Sequence, residues 1–255
     1  MMEMIAAIGR FTIDLIREMG GVFILFVSTI KSLFEKPRLH LTAEQMYFIG
    51  VKSTLIVALT SMFVGMVEVL QIYHGFHKFG AESMIGYTVA VSLGRELSPV
   101  LTALMIVARN VSAMAAELGT MRVTQQIDAL EVMAVNPINF LVAPRVIATT
   151  VMLPALVSLS NAIGNIGGYI VGINILGLNP TTYTKNIQIY IETTDLTYGL
   201  IKAAVFGLII SLIGCYMGLE TRGGSKGVGI STTKAVVAAS ISVLVADYFL
   251  TAFLF

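Results

Sequence analysis

The chain has 255 residues, of which 56% are hydrophobic and 12% are charged, and its formal net charge at pH 7 is +1. Soluble domains carry about 25% charged residues, so this composition excludes an ordinary soluble domain and predicts an all-α integral membrane protein. Roughly five or six transmembrane helices with short loops would use the whole length. The near-zero net charge gives no indication of a nucleic-acid partner, and none is predicted.

The region 1–39 predicts a helix that lies in the membrane interface. Between positions 4 and 16, isoleucines recur at helical spacing with charged residues between them, which is the pattern of an amphipathic helix. The apolar stretch 20–30 that follows is too short to cross a bilayer alone. The alternative interpretation is that this region begins an ordinary first span. A break is predicted over 31–39, where Pro37 lies.

Long apolar segments predict five membrane-spanning helices within 46–255. They cover about 46–73, 83–111, a third span that begins near Arg145, 198–219 and 235–255. Between them, 174–197 is predicted to be an external segment with a short helix. The stretch 220–234 is predicted to be a Gly-rich basic loop in the cytoplasm.

The placement of positive charge gives the orientation of these spans. With the N-terminus in the cytoplasm, the Lys and Arg residues lie on the cytoplasmic side except for Lys78, Arg95, Lys185 and Lys202. That asymmetry follows the positive-inside rule. It places the stretch 116–137 in the cytoplasm and the C-terminus outside.

The stretch 116–137 is polar and helix-prone, and it separates the second and third predicted spans. Thr124 is predicted to cap a short amphipathic helix that ends at Asn136 and Pro137. The apolar row of this helix is Ile127, Leu130 and Met133, and its polar row is Gln125, Asp128 and Glu131. Such a helix is either a solvated loop helix without a partner or the surface on which a soluble partner acts.

Two ionisable residues, Arg95 and Glu96, lie roughly 18–20 Å along the second predicted span. At that depth a charge costs on the order of 2.5–3.5 kcal/mol unless it has a partner or faces a polar cavity. Neighbouring side chains point about 100° apart, so at least one of the two needs a partner on another helix or a cavity. The alternatives are a polar cavity and a buried structural ion pair, for which Glu68 is a candidate. Pro99 is expected to free backbone carbonyls nearby and to bend the span.

The sequence carries no motif for catalysis, and no catalytic residue is predicted. It has no GxxxxGK(S/T) phosphate loop, so it is not expected to hydrolyse ATP by that route. His40, His74 and His77 do not combine with Cys or acidic residues into a metal site, and no metal or bound cofactor is predicted. An intramembrane lipid-modifying enzyme would need clustered His, Asp or Cys near an interface, which the chain does not supply.

Several segments together carry a family resemblance. They are LGRELSPVLTALMIVAR (93–109), AAELGTMRVTQQIDALEVMAVNP (115–137), APRVIA (143–148) and FGLIISLIGCYMGLETRGGSKGVGISTTKAVVAAS (206–240). They resemble the MlaE family, the permeases of Mla-type lipid ABC transporters, which include a plastid lipid-import permease. The resemblance covers about 46–255 and implies a single permease domain over 1–255, with an interfacial helix and five membrane helices.

The resemblance implies the function and the partners. The chain would be the transmembrane subunit of an ATP-driven transporter that moves phospholipids between the inner membrane and an MCE-domain protein. A homodimer of the chain would bind two cytoplasmic ABC ATPase subunits (MlaF-like), a hexamer of the MCE-domain protein (MlaD-like) and, in some systems, a STAS-domain protein (MlaB-like). ATP and Mg²⁺ would bind to the ATPase and not to this chain. The alternative is a membrane scaffold or channel without an energy source.

The resemblance also implies roles for individual residues. The stretch 116–137 would be a coupling helix against the ATPase, and the residues assigned to it are Glu117, Gly119, Arg122, Thr124, Gln125, Asp128 and Glu131. Gln125 stands where the family often has Glu, which removes a charge for a salt bridge to the ATPase. A lipid pocket near the dimer centre would be lined by Arg95, Glu96, Leu70, Gln71 and Tyr73.

Overall fold

The computed structural model describes residues 2–33 and 38–254, and this part of the chain is built from helices and contains no strand. The main helices are α1 (Met2–Leu33), α2 (Leu39–Phe79), α3 (Glu82–Val123), α4 (Gln126–Val132), α5 (Ile138–Asn174), α6 (Pro180–Tyr190), α7 (Thr193–Leu219) and α8 (Gly224–Leu254). Five of these, α2, α3, α5, α7 and α8, are long and apolar enough to cross a membrane. The all-α membrane fold with five spans is therefore confirmed.

The N-terminal helix α1 is one continuous helix of 32 residues, so the amphipathic part and the apolar stretch 20–30 belong to a single element. A Cβ added to Gly21 would collide with the ring of Tyr216, so α1 packs closely on α7 at this glycine. Leu25 is buried in a cluster with residues of α5 and α7. The interfacial position of α1 stays a prediction. The break predicted over 31–39, with Pro37, falls partly outside the described residues.

The helices extend further than the apolar segments predict. α2 begins before position 46, α3 continues past position 111, and α5 begins before Arg145. The prediction of a loop over 220–234 is wrong, because α8 already begins at Gly224. The chain turns at Gly223 and Gly224, whose φ values of 92° and 67° suit glycine and strain other residues. The connection between α7 and α8 is therefore only 220–223.

The short helix predicted in 174–197 is present as α6. Asn179 caps it, because its side chain accepts hydrogen bonds from two backbone amides of the first turn. The buried ring of Tyr183 fastens α6 to the bundle by packing on Gly86 of α3 and Gly172 of α5. Burial raises the pKa of the Tyr183 phenol to about 12, so this side chain is neutral at physiological pH.

Glycines bring pairs of spans into backbone contact. A Cβ added to Gly65 of α2 would collide with the carbonyl oxygen of Gly164 on α5, and one added to Gly167 would collide with the backbone of α2. α3 and α7 meet in the same way at Gly94 and Gly199. The glycine-rich face of the third span therefore serves close helix packing, as its spacing indicates.

We expect Gly65→Ala to destabilise the protein by about 1–3 kcal/mol, because a methyl group there forces α2 away from α5. The measurement is the thermal unfolding temperature of the purified protein in detergent. Gly75→Ala is the matched control on the same helix, since no atom lies within 4 Å of its added Cβ. Equal unfolding temperatures for the two variants would contradict the backbone contact.

Candidate functional site

An ion pair between Arg95 and Asp195 joins α3 to α7. The Nε and Nη2 atoms of Arg95 lie 2.8 Å and 2.5 Å from Oδ1 of Asp195. The Asp195 side chain is only 3% exposed, and its Oδ2 accepts a hydrogen bond from the backbone amide of Glu192 at the start of α7. One buried carboxylate therefore caps α7 and also neutralises a guanidinium of α3.

A second set of contacts connects α3, α7 and α8 through Lys202, whose side chain is fully buried. Its Nζ donates to Oε2 of Glu96 at 2.6 Å, to Oδ1 of Asp247 at 3.1 Å and to Oγ1 of Thr251 at 2.7 Å. Thr251 donates in turn to Glu96 at 3.2 Å. A buried ammonium is tolerated when it is paired and hydrogen-bonded, and this arrangement supplies both.

The backbone of α3 explains why two adjacent residues both reach partners. Leu93–Leu97 form a π-helical turn, a distortion that occurs frequently at functional sites. Pro99 has no N–H for the carbonyl of Arg95, and Lys202 donates to that carbonyl at 3.3 Å. Asp195 and Lys202 lie about two turns apart on one face of α7, so they meet the two charges of α3 in register.

The buried ion pairing that the sequence left open is present, but Glu68 is not the partner. Glu68 instead accepts a hydrogen bond from the hydroxyl of Ser92 on α3 at 3.0 Å. Lys202, which the placement of charge puts on the outer side, is fully buried within the candidate span α7, and its depth in the membrane stays a prediction. Within 2–33 and 38–254, no group of three or more His, Cys, Asp or Glu side chains could hold a metal ion.

We call the set of Arg95, Glu96, Asp195, Lys202, Asp247 and Thr251 the charge network. The sequence alone does not identify four of its members as parts of a site. A signal for three of the four was available, because Asp195, Lys202 and Asp247 are ionisable residues within or beside apolar runs. Arg95 and Glu96 are found from the sequence by this same criterion.

The predicted lipid-pocket residues lie on α2 and α3. The side chains of Arg95 and Glu96 are 36% and 37% exposed, so neither is fully enclosed after pairing. On α2, Gln71 is exposed, whereas Leu70 and Tyr73 are half-buried. The hydrogen bond from α3 to Glu68 holds this part of α2 beside the helical turn that precedes Arg95. A lipid pocket formed by these five residues stays a prediction.

The stretch 116–137 is not one helix. Its first part, up to Val123, is the end of α3, and Thr124 terminates that helix instead of capping the next one. The N-cap position of α4 belongs to Gln125, and the Thr124 hydroxyl donates back to the carbonyl of Thr120 at 2.9 Å within its own helix. Gln125 then adopts the left-handed conformation, with φ of 60°, and turns the chain into the short helix α4.

The predicted apolar row of this helix is correct at two of its three positions. Ile127 is buried and Leu130 packs against the same cluster, which includes residues of α1, α5 and α7. Met133 lies just after the last residue of α4 and is 65% exposed, and its neighbour Val132 is 87% exposed. The predicted end at Asn136 and Pro137 is wrong, because α4 already ends at Val132, and the Asn136 side chain accepts a hydrogen bond from the amide of Ile138 at the start of α5.

The charged residues predicted for coupling fall into two groups. Arg122 and Asp128 form an exposed ion pair at 2.6 Å, and Glu131 lines a groove of about 630 Å³ beside α4. Glu117 instead pairs within the chain, with Arg145 at the start of α5, at 2.9 Å. Gly119 packs against Thr221 at the end of α7. We call the surface formed by Arg122, Asp128, Glu131, Val132 and Met133 the α4 surface.

Known proteins are similar to this chain over almost its whole length. A family model described as Permease MlaE matches residues 42–253. A probable ABC transporter permease protein of Rickettsia felis is 44% identical over 98% of this chain and 96% of its own length. The intermembrane phospholipid transport system permease protein MlaE of Haemophilus influenzae is 38% identical over 98% of this chain and 97% of its own length. Protein TRIGALACTOSYLDIACYLGLYCEROL 1, chloroplastic, of Arabidopsis thaliana is 39% identical over 84% of this chain and 61% of its own length.

Proposed function

Because the chain belongs to the MlaE permease family, we propose that it is the transmembrane subunit of an ATP-driven ABC transporter that moves phospholipids. It lies in the inner membrane with its N-terminus in the cytoplasm. Two copies of the chain bind two ABC ATPase subunits on the cytoplasmic side and an MCE-domain protein on the other side, and a STAS-domain protein joins in some systems. ATP and Mg²⁺ bind to the ATPase subunits, which carry out hydrolysis. The lipid passes between the inner membrane and the MCE-domain protein.

The observation that carries this proposal is the α4 surface. Val132 and Met133 are largely exposed although they lie between candidate spans and not on one. Exposed apolar side chains rimmed by charges are typical of protein interaction sites. The soluble partner that an ABC permease requires at its cytoplasmic face is an ATPase subunit, and the α4 surface supplies an apolar centre with a charged rim for it.

A single helix connects the α4 surface with the charge network. α3 carries Arg95 and Glu96 in its π-helical turn and leads directly into α4. When the ATPase subunits close on ATP, they press on α4 and displace the end of α3. This displacement reaches the charge network along the helix and opens or narrows the cavity between the two permeases. Lipid tails occupy the apolar walls, and the partly exposed side chains of Arg95 and Glu96 meet the polar head group.

The test is purification of the tagged chain in mild detergent followed by reconstitution in lipid vesicles. A nucleotide-binding subunit should copurify, and fluorescent phospholipid should transfer to the MCE-domain protein only when ATP is hydrolysed. Mass spectrometry of the purified complex should identify the bound phospholipid. Transfer at the same rate without ATP, or a complex without a nucleotide-binding subunit, would favour a passive scaffold or channel.

A further inference from the structure

Arg145 is a buried cation at the cytoplasmic start of α5. Its side chain is 6% exposed, its Nη2 lies 2.9 Å from Oε2 of Glu117, and its Nη1 donates to the carbonyl of Leu141 at 2.6 Å. A buried charge without a partner is strongly unfavourable. Glu117 is therefore the group that makes a guanidinium acceptable at this position.

This ion pair holds together α3 and α5, the two helices that flank the stretch 124–137. We call this stretch, which contains α4, the α4 segment. Glu117 lies on the last turns of α3, and Arg145 lies about two turns after Ile138, the first residue of α5. The carbonyl of Leu141 belongs to the π-helical turn Ile138–Val142 through which the chain enters α5. One guanidinium thus fixes the distance between α3 and α5. It also holds the backbone that directly follows the α4 segment.

Packing fixes the end of α3 on its other side. A Cβ added to Gly119 would lie 2.8 Å from Oγ1 of Thr221, and one added to Gly218 of α7 would lie 2.7 Å from Cβ of Leu118. Both distances are too short for ordinary contacts, so the end of α3 is held directly against the end of α7. Because Gly119 has no side chain, the ends of α3 and α7 can approach this closely. For the same reason, Gly119 has no side chain with which to contact a partner.

We propose that Glu117 and Gly119 are positioning residues, and that the Glu117–Arg145 pair is a brace that makes α3 and α5 move together when the α4 segment is pushed. The proposal rests on the proposed function. Of the residues first assigned to ATPase coupling, those on the α4 surface contact the ATPase. Glu117 and Gly119 instead hold the helices that support this surface. Glu117 is itself 58% exposed, so direct contact with the ATPase is the competing role.

The experiment is a double-mutant cycle in the reconstituted complex, with Glu117→Gln, Arg145→Met and the two combined. Three quantities are measured: the affinity of the ATPase for the permease, the rate of ATP hydrolysis, and the amount of lipid transferred per ATP. Glu44→Gln is the matched control, because Glu44 is an exposed carboxylate on α2 that belongs neither to the α4 surface nor to the Glu117–Arg145 pair.

For a brace, both single variants should bind the ATPase within about twofold of the wild type and transfer about tenfold less lipid per ATP. The double variant should be no worse than the more affected single variant, because both changes remove one interaction. The double variant should also unfold at a higher temperature than Glu117→Gln, which leaves Arg145 buried and unpaired. Loss of folding in Glu117→Gln with recovery in the double variant would likewise support the brace.

For a contact role, Glu117→Gln should weaken ATPase binding, whereas Arg145→Met should not, because Arg145 is buried. Additive effects on lipid transfer would also overturn the brace. Failure of the proposed function has a different signature, since the wild-type complex would then show no ATP-dependent transfer. Normal transfer per ATP in the wild type and in all three variants would overturn the brace alone.

Discussion

Replacing Lys202 by methionine should destabilise the permease by roughly 3–5 kcal/mol, the range expected when one partner of a buried ion pair is removed. The Lys202 ammonium is fully buried and faces the carboxylates of Glu96 and Asp247. Without it, two like charges face each other within the candidate spans, and the carbonyl of Arg95 loses its donor. The expected result is a much lower unfolding temperature and little purified protein.

Lys185→Met is the matched control, because Lys185 is an exposed lysine on the short helix α6. We expect it to unfold at the wild-type temperature. Adding Asp247→Asn to Lys202→Met should recover part of the lost stability, since only one of the two facing carboxylates then remains. If Lys202→Met unfolds at the same temperature as Lys185→Met, the ammonium does not hold α3, α7 and α8 together.

The five spans could be predicted because a lipid environment leaves few alternatives. Backbone groups within the bilayer must be satisfied inside the helix, so long apolar runs become helices almost regardless of their detailed sequence. The ends of the spans are less predictable. Helices α2, α3 and α8 continue into polar sequence, where hydropathy does not distinguish a helix from a loop. Packing decides those ends, as at the turn formed by Gly223 and Gly224.

The charge network was predictable in part. Ionisable residues in apolar runs are conspicuous, and they lead to Arg95 and Glu96 directly. Their partners follow only when the helices are placed side by side. Asp195 and Lys202 were separated by the predicted start of the fourth span, although they lie on one face of α7. Pro99 has no N–H to donate to the carbonyl of Arg95, and the donor that does reach this carbonyl, Lys202 on α7, is visible only in the tertiary structure.

The stretch 116–137 was predictable as polar and helical but not in its shape. Two residues other than glycine, Gln125 and Ala134, adopt positive φ values of 60° and 58°. The sequence predicts a break one residue earlier, at Thr124, but not the left-handed turn at Gln125, after which Ile127 and Leu130 pack against the bundle. This turn is what leaves Val132 and Met133 exposed.

Val132→Asp should weaken binding of the ATPase to the permease by about 10- to 100-fold. Burying a valine or methionine side chain at an interface contributes about 1.5–3 kcal/mol, and each 1.4 kcal/mol is a factor of ten in affinity. Val132 is 87% exposed in the isolated chain, so the substitution should not change the unfolding temperature of the permease itself. The measurement is the dissociation constant between the detergent-solubilised permease and its ATPase subunit.

Ile189→Asp is the matched control, because Ile189 is an exposed apolar residue on α6, away from the α4 surface. It should bind the ATPase as the wild type does. Met133→Asp should behave like Val132→Asp, and the double variant should show less than the sum of the two losses, since neighbouring side chains fill one site. If Val132→Asp and Ile189→Asp bind the ATPase equally well, the apolar centre of the α4 surface does not receive the ATPase.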